Sequence, residues 1–389
     1  MIILDFPNAI TNIERFFDRQ DEQARAIDTL LSGKHVPVVI FGERRIGKTS
    51  LQNIVIERIK RQNPSVLPLI IEPRDINTVD NFAAAIFRRL TTLQKKDLRD
   101  TGLVDDSGNI HIEDAADFEK AFFRLIQDNA QQTYLLCVDE FDEIIRLTFK
   151  TSPREGQKLL HLLLHWIERS PLPLTLFFTM MRIPEPLKDE FASPLVTKAE
   201  VIELFPFSAE KTRQIITWLM EEEVQISADT IDWLVSLSGG HPYFIKLLLS
   251  CLLQEFQDQT PVIISQPGQQ KRILERALAD SRAKYAIKNI YKAHLSSHEK
   301  SVLLYLSERN EWVPAFELVR AGKEYIRAAY ELVKRNYVME TEGNFMFRIQ
   351  FLSHWLRNWE EFEEELDRLD VLNMARIGID NAGQVPPGS

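Results

Sequence analysis

Gly42-Glu43-Arg44-Arg45-Ile46-Gly47-Lys48-Thr49 is the stretch of this 389-residue chain that decides its fold. A short β-branched run, VPVVIF at 36–41, comes before it, and a segment with helical period follows it at 48–62. A glycine-rich turn between a strand and a helix is the setting of the G-x-x-x-x-G-K-[ST] loop, whose backbone N–H groups surround nucleotide phosphates. The N-terminus of the helix adds its partial positive charge. The loop residues that we expect to bind a nucleotide are Gly42, Glu43, Arg44, Arg45, Ile46, Gly47, Lys48, Thr49 and Ser50.

An acidic strand end supplies the second half of such a site. The run LLCVDE, 135–140, brings Asp139 and Glu140 to the carboxyl end of a buried strand. We expect Lys48 to contact the β- and γ-phosphates and the Thr49 hydroxyl to bind Mg²⁺. Asp139 is then expected to bind the same ion through water, and Glu140 to orient and activate the attacking water.

Two alternatives stay open for these residues. The carboxylates could merely cap the next helix, together with Asp142 and Glu143, which we expect to be solvated residues at the helix start without a catalytic role. The nucleotide could carry guanine, since Thr197-Lys198-Ala199-Glu200 partly matches the guanine-reading [NT]-K-x-D element. That stretch has Glu where the element requires Asp, so ATP and ADP are the expected nucleotides.

Further apolar runs of strand length alternate with segments of helical period as far as residue 206. Strands separated by helices imply crossover connections and a parallel sheet that is covered on both faces. The sequence therefore predicts an α/β core of the P-loop NTPase type, which resembles the core of AAA+ ATPases. Its strands after the first are expected at 67–72, 134–138, 174–179 and 201–205.

The strand signals stop after residue 206, and helical period predicts an all-helical unit that ends near 285. Ser296 with Glu299 then forms a capping box for the first of three helices. After these helices come two runs of alternating apolar and polar residues, joined by Glu-Gly-Asn, which predict a β-hairpin. Three helices and a hairpin are the winged-helix pattern. The expected segments are a P-loop ATPase core at 1–206, a helical lid at 207–285, a winged-helix domain with a terminal helix at 286–370 and a flexible tail at 371–389.

These motifs together resemble a known family. The chain is similar to the STAND class of signal-transducing, AAA+-related ATPases, including the archaeal-type ATPases, and less closely to the origin-recognition initiator ATPases. The resemblance rests on the order of core, lid and winged helix and on FGERRIGKTSL, LLCVDEFDEI, FFTMMR, LFPF and SGGHPYFIKLLL. It implies an ATPase of low turnover.

The resemblance also implies contacts to the adenine. Phe17-Asp18-Arg19 matches a hydrophobic-Gly-Arg element beside the base, with Asp18 in place of the usual glycine and Arg19 as the binding residue. Pro242 in the lid matches a Gly-x-Pro proline that packs on adenine, although a proline in the first turn is also simply a good helix start.

At the γ-phosphate, the resemblance implies a sensor at the end of the fourth strand. The run LTLFFTMMR ends in Thr179 and Arg182, and an arginine there would stabilise the transferring charge as a catalytic group. The alternative is a surface arginine. Oligomeric AAA+ machines place another arginine just before the fifth strand, but ASPLVTKAEV at 192–201 contains none, which speaks against catalysis completed by a neighbouring subunit.

The balance of charges bears on nucleic-acid binding. The chain has 47 Lys and Arg residues and 57 Asp and Glu residues. The resulting net charge of −10 argues against a protein that coats nucleic acid along its length. A basic face of the winged helix could still bind DNA, whereas STAND-like proteins use this domain to hold the nucleotide. The basic residues are Arg320, Lys323, Arg327, Lys334 and Arg335, and before them Lys271, Arg272, Arg276, Arg282, Lys284, Lys288 and Lys292.

Cellular location follows from cysteine use and hydropathy. Cys137 and Cys251 lie inside apolar runs and are expected to be buried thiols in a reducing compartment. No apolar run reaches the roughly 18 to 20 residues that span a bilayer, and the N-terminus lacks the basic start of a signal peptide. We therefore expect a cytoplasmic protein without a membrane partner.

Three functions remain open after the sequence alone. The leading hypothesis is a STAND-like switch in signalling or defence, in which ATP with Mg²⁺ sets conformation or assembly through self-association or a protein partner. The rival is an initiator or transposition-regulator ATPase that binds DNA through the winged helix. The third is an inert nucleotide-binding scaffold.

Overall fold

The fold is given by a computed structural model. The structure describes residues 9–127, 132–168, 171–181, 197–220, 226–255, 267–309 and 311–358. It divides the chain into two compact units, Ala9–Leu204 and a second that begins at Phe205.

A five-stranded parallel sheet forms the centre of the first unit. Its strands in chain order are β1 (Val38–Gly42), β2 (Val66–Ile71), β3 (Thr133–Val138), β4 (Leu174–Met180) and β5 (Glu200–Leu204). Their order across the sheet is β2-β3-β4-β1-β5, with parallel pairing throughout. Because β4 lies between β1 and β3, the carboxyl ends of these three strands are neighbours at one edge of the sheet.

Helices cover both faces of this sheet. They are α1 (Gln20–Leu31), α2 (Lys48–Gln62), α3 (Val79–Leu93), α4 (Ala115–Ile126), α5 (Phe141–Thr151) and α6 (Pro153–Glu168), with short 3-10 helices at Ile13–Arg15 and Leu98–Thr101. One apolar cluster joins α3 to α6 with the sheet, and a second joins α1 and α2 with its other face. Every residue of β4 is buried, as a strand covered on both faces requires. The predicted α/β core is therefore confirmed.

Helices form the first part of the second unit, as far as the structure describes it. They are α7 (Ala209–Met220), α8 (Ala228–Ser238), α9 (Pro242–Glu255), α10 (Pro267–Ala279) and α11 (Ser281–His294). The turn between α8 and α9 has no room for side chains, because a Cβ on Gly240 would lie 2.0 Å from the Phe207 carbonyl oxygen. A Cβ on Gly239 would lie 2.6 Å from the Arg348 oxygen, so the turn also packs against the end of the chain's later hairpin.

The rest of the second unit combines helices with a small antiparallel sheet. Its elements are α12 (Ser297–Arg309), β6 (Val313–Pro314), α13 (Ala315–Ala321), α14 (Lys323–Lys334), β7 (Val338–Thr341), β8 (Asn344–Phe347) and α15 (Gln350–Arg357). The strand order is β6-β8-β7. Glu342 and Gly343, both at positive φ, form the two-residue turn between β7 and β8 that the sequence indicates.

The predicted capping box at the start of α12 is confirmed. The Glu299 N–H donates to the Ser296 hydroxyl at 3.2 Å, and the Ser296 N–H donates to the Glu299 carboxylate at 2.7 Å. Arg335 adds an ion pair to the same carboxylate at 2.8 Å, which ties the end of α14 to α12.

The boundaries at 285 and 370 stay predictions, because the structure describes the helices and the small sheet within one unit. The predicted terminal helix is described only as far as residue 358, and the tail at 371–389 lies outside the described residues. In the described part of the chain, no helix has both the length and the apolar character that a membrane span needs.

Candidate nucleotide-binding site

The loop between β1 and α2 has the backbone that the glycine pattern predicts. Gly47 lies at a φ of +106°, a value that suits glycine, and it is the residue from which α2 starts. A Cβ on Gly42 would lie 2.8 Å from the Ile46 side chain and 2.9 Å from the Leu204 carbonyl oxygen. The two glycines thus let the loop turn tightly and approach β5, so that the N-terminus of α2 is presented at the sheet edge.

Lys48 is buried beneath this loop. Only 7% of this residue is exposed, and Nζ donates to the carbonyl oxygens of Gly42 at 2.8 Å and Glu43 at 3.0 Å. Burial lowers the pKa of Lys48, and the charge of Asp142, followed by that of Asp139, opposes this shift. The ammonium group is therefore held against carbonyl oxygens that are weak partners compared with a phosphate.

Two threonine hydroxyl groups donate to one carboxylate at the end of β3. The Thr49 hydroxyl donates to Asp139 Oδ2 at 2.8 Å, and the Thr179 hydroxyl, at the end of β4, donates to Oδ1. The same Thr179 oxygen accepts the N–H of Glu140 at 3.0 Å. Thr179 thus connects the acidic strand end to β4, a link that the strand order makes possible.

Glu140 does not act as a helix cap. It occupies the residue before α5 at a φ of +48°, yet its side chain makes no capping hydrogen bond. Its carboxylate is half-exposed and lies 3.9 Å from an Arg44 guanidinium nitrogen. With Asp139 held by two threonines, the alternative in which these carboxylates merely cap the next helix has no support in the geometry.

Asp142 differs from the expectation that it is a solvated residue. Burial raises its pKa to about 6, although the charge of Lys48 and the N–H of Met181 favour the carboxylate. The wrong expectation came from the local pattern of a helix start, which carries no information about Met181, the residue after β4 whose N–H Asp142 accepts. Glu143 is paired with Arg146 on the surface, as a helix-start residue is expected to be.

The donor atoms at this edge suit a magnesium ion. Thr49 and Asp139 provide a hydroxyl and a carboxylate oxygen next to the loop, and Mg²⁺ prefers oxygen ligands and keeps several waters. Among the residues that the structure describes, no cluster of three or more His, Cys, Asp or Glu residues could hold a metal ion.

Arg19 and Ser50 lie in the same unit as the loop. Asp18 and Arg19 both adopt the left-handed region, at φ of +63° and +65°. Asp tolerates this conformation better than most residues, and the glycine that the resemblance implies at position 18 would fit it as well. Arg19 is 8% exposed and pairs with Glu22 at 3.1 Å, and burial lowers its pKa. Ser50 is buried and accepts the N–H of Ile10 at 3.0 Å.

The structure does not test two of the predicted site residues. Arg182 lies outside the described residues, which end at Met181 before the gap. Pro242 is the first residue of α9 in the second unit. Their assignments stay predictions.

The loop, the acidic strand and the strand order define a P-loop NTPase of the α/β class. A family of ATPase domains found predominantly in Archaea matches residues 16–248, well over half of the chain. The chain belongs to that family. No curated protein matches the sequence.

Solved structures with a similar fold include two archaeal proteins. The Walker-type ATPase of Pyrococcus abyssi has a TM-score of 0.60 at 16% identity, over 91% of this chain and 100% of its own. The ORC2 protein of Aeropyrum pernix, in complexes with ADPNP and ADP, has a TM-score of 0.58 at 15% identity, over 91% of this chain and 97% of its own. Its ADP form gives 0.52 at 14% identity, over 91% and 96%. At these identities the likeness shows a shared fold alone.

Proposed function

We propose that this protein binds ATP with Mg²⁺ at the loop 42–50 and hydrolyses it slowly. The observation that carries the proposal is the contact of Thr49 and Thr179 with the two oxygens of Asp139, beside the buried Lys48. Lys48 and the Thr49–Asp139 oxygen pair, which suits magnesium, lie at the N-terminus of α2, and the Glu140 carboxylate lies 3.9 Å from Arg44 of the same loop. Membership of an ATPase family supports the same reaction.

The residues have separate tasks in hydrolysis. Lys48 contacts the β- and γ-phosphates, while Thr49 and Asp139 would hold a magnesium ion, whose charge would offset that of the phosphates. Glu140 orients a water molecule and accepts a proton from that water. The water oxygen forms a bond to the γ-phosphorus. The bond between that phosphorus and the bridging oxygen breaks, so that the electron pair leaves with ADP. Phosphate is the second product, and Glu140 then returns its proton to solvent.

The output of this reaction is proposed to be a STAND-like switch. The α12–α15 segment with its small sheet supports a winged helix, and the Arg348 guanidinium, bonded to Asn336 Oδ1 at 3.0 Å, lies beside the Gly239 turn of the lid. A nucleotide whose γ-phosphate contacts exist in only one conformation can shift the equilibrium between two. The proposed readout is conformation or self-association, or binding of a protein partner.

Amide hydrogen exchange with ADP or with ATPγS, each with Mg²⁺, tests the switch. We expect exchange rates in residues 205–358 to differ severalfold between the two nucleotides, since a switch must alter opening equilibria away from the phosphates. Sedimentation of the same samples reports assembly. Identical exchange everywhere outside the loop would favour the inert scaffold.

DNA binding is a second candidate function, and the exposed basic face of α14 favours it. Along α14, Lys323, Arg327, Tyr330 and Lys334 are all exposed at helical spacing, as phosphate-contacting side chains of a recognition helix would be. Glu331 pairs with Lys334 at 2.7 Å, and the hairpin turn exposes Glu340 and Glu342, which weakens the positive potential there.

A titration with duplex DNA at two salt concentrations decides this point. If the three cations each contact a phosphate, the affinity should fall about 40-fold between about 50 and 200 mM salt. Arg327→Ala should then reduce the salt slope by about one, whereas Lys60→Ala on α2 should leave it unchanged. Absence of binding at low salt would remove the candidate.

A further inference from the structure

Large apolar side chains are exposed on and just before α13 in the second unit. Trp312, Phe316 and Val319 are 42%, 65% and 52% exposed. Phe316 and Val319 lie three residues apart in one helix, so their side chains are neighbours on one face, and Trp312 comes just before β6. A single exposed apolar residue is ordinary on a protein surface, whereas three of them within 312–319 are typical of a surface that a partner covers.

Cations continue this surface onto α14. Arg320 follows Val319, and Lys323 and Arg327 lie one turn apart on α14, all three of them exposed. The ion pairs that the structure describes in α12 and α14 are made by other cations, which leaves these three without one. The surface, named the α13 face from here on, consists of Trp312, Phe316, Val319, Arg320, Lys323 and Arg327. It suits a partner that combines an apolar stripe with carboxylates.

The chain itself contains a segment of that character. The stretch WEEFEEELDRLD at 359–370, beyond the described residues, has seven acidic residues and one arginine. Its apolar residues Trp359, Phe362, Leu366 and Leu369 recur at intervals of three and four, which in a helix would form one stripe with the carboxylates on either side. Its charge and its apolar stripe are therefore both complementary to the α13 face.

The path of the chain leads towards this face. Arg335 pairs with Glu299 at the start of α12 at 2.8 Å, and the residue after it accepts a hydrogen bond from Arg348, just before α15, at 3.0 Å. The packed helices α12 and α15 thus start at the same end. At the other end of α12, Arg309 pairs with Glu317 of α13 at 3.6 Å. The chain therefore leaves α15 towards α13, and a helix of twelve residues, about 18 Å long, can extend across α13 and the start of α14.

We propose that residues 359–370 bind as an amphipathic helix to the α13 face of the same chain. The apolar stripe packs on Trp312, Phe316 and Val319, and the carboxylates lie against the three cations. This contact is independent of ATP hydrolysis. It covers cations that the DNA-binding candidate requires, so the acidic segment competes with a duplex for the same face.

Amide hydrogen exchange of the full chain tests the contact. We expect the amides of residues 359–370 to exchange at least about tenfold more slowly than those of a synthetic peptide with the same sequence. Phe316→Ser should raise the exchange rate about 10- to 100-fold, at most to that of the peptide, because it removes the burial of one aromatic side chain. Lys323→Glu should raise the rate as well, since it sets a like charge against the carboxylates.

Tyr285→Ser is the matched control. Tyr285 is 64% exposed, as Phe316 nearly is, but it lies on α11, so its loss should leave the exchange of residues 359–370 unchanged. Exchange at the rate of the peptide in wild type would overturn the proposal, as would slow exchange that both Phe316→Ser and Lys323→Glu leave intact. Exchange that slows as the protein concentration rises would also overturn it, because the α13 face would then bind the segment of a second copy.

Discussion

Lys48→Ala is expected to weaken the binding of ATP by at least about 100-fold, and that of ADP, which has no γ-phosphate, by at least about tenfold. Each hydrogen bond to a charged group contributes about 1.5 to 3 kcal/mol, and about 1.4 kcal/mol corresponds to a factor of ten in affinity. Lys48 is a buried cation at the N-terminus of α2, and the proposed function assigns it to the β- and γ-phosphates of ATP. Isothermal titration with each nucleotide in the presence of Mg²⁺ measures the effect.

The fold of this variant can be checked separately. Burial already lowers the pKa of Lys48, so removing the charge relieves an unfavourable burial and the nucleotide-free variant should unfold at nearly the wild-type urea concentration. Lys60→Ala, an exposed lysine of the same helix that pairs with Glu57, serves as the control and should bind both nucleotides normally. A folded Lys48→Ala protein with wild-type ATP affinity would show that the phosphates bind elsewhere.

Glu140→Gln should separate binding from turnover. The amide keeps the size of the side chain but cannot accept the proton of the attacking water, so steady-state phosphate release should fall about 100- to 10,000-fold. ATP affinity should stay within about threefold of wild type, because the binding contacts come from the loop. Phosphate release and ATP titration on the same preparation give both quantities.

Glu143→Gln is the comparison for that variant. Its carboxylate lies three residues further along the chain and pairs with Arg146 on the surface, so turnover should be unchanged. Wild-type turnover in Glu140→Gln would exclude this residue as the base and would direct attention to Asp142, the partly buried carboxyl group near Lys48.

Those parts of the site that lie next to a single strand in the sequence, the phosphate loop and the acidic strand end, were predictable. A motif such as GERRIGKT fixes the local backbone, because its glycines and its helix start leave few alternatives, and the run LLCVDE places Asp139 at a strand end by its apolar pattern alone. The resemblance also marked Thr179 as a sensor. Its actual contacts, to Asp139 and to the Glu140 N–H, depend on which strands are neighbours.

Side-chain pairing across elements was not predictable. Nothing in the local pattern distinguishes Arg44, which faces Glu140, from Arg45, which is exposed, since both are arginines of one loop. Asp142 likewise accepts the N–H of Met181, which lies about forty residues further along the chain. Such features follow from tertiary packing, in which each residue depends on elements distant in sequence.

Phosphate release from ATP in the presence of Mg²⁺, measured for wild type beside Lys48→Ala, tests the central claim most directly. The account predicts a slow release that is proportional to the concentration of wild-type protein and at least about 100-fold slower in the variant. Equal rates in the two proteins would contradict it, because the hydrolysis would then not take place at the loop that follows β1.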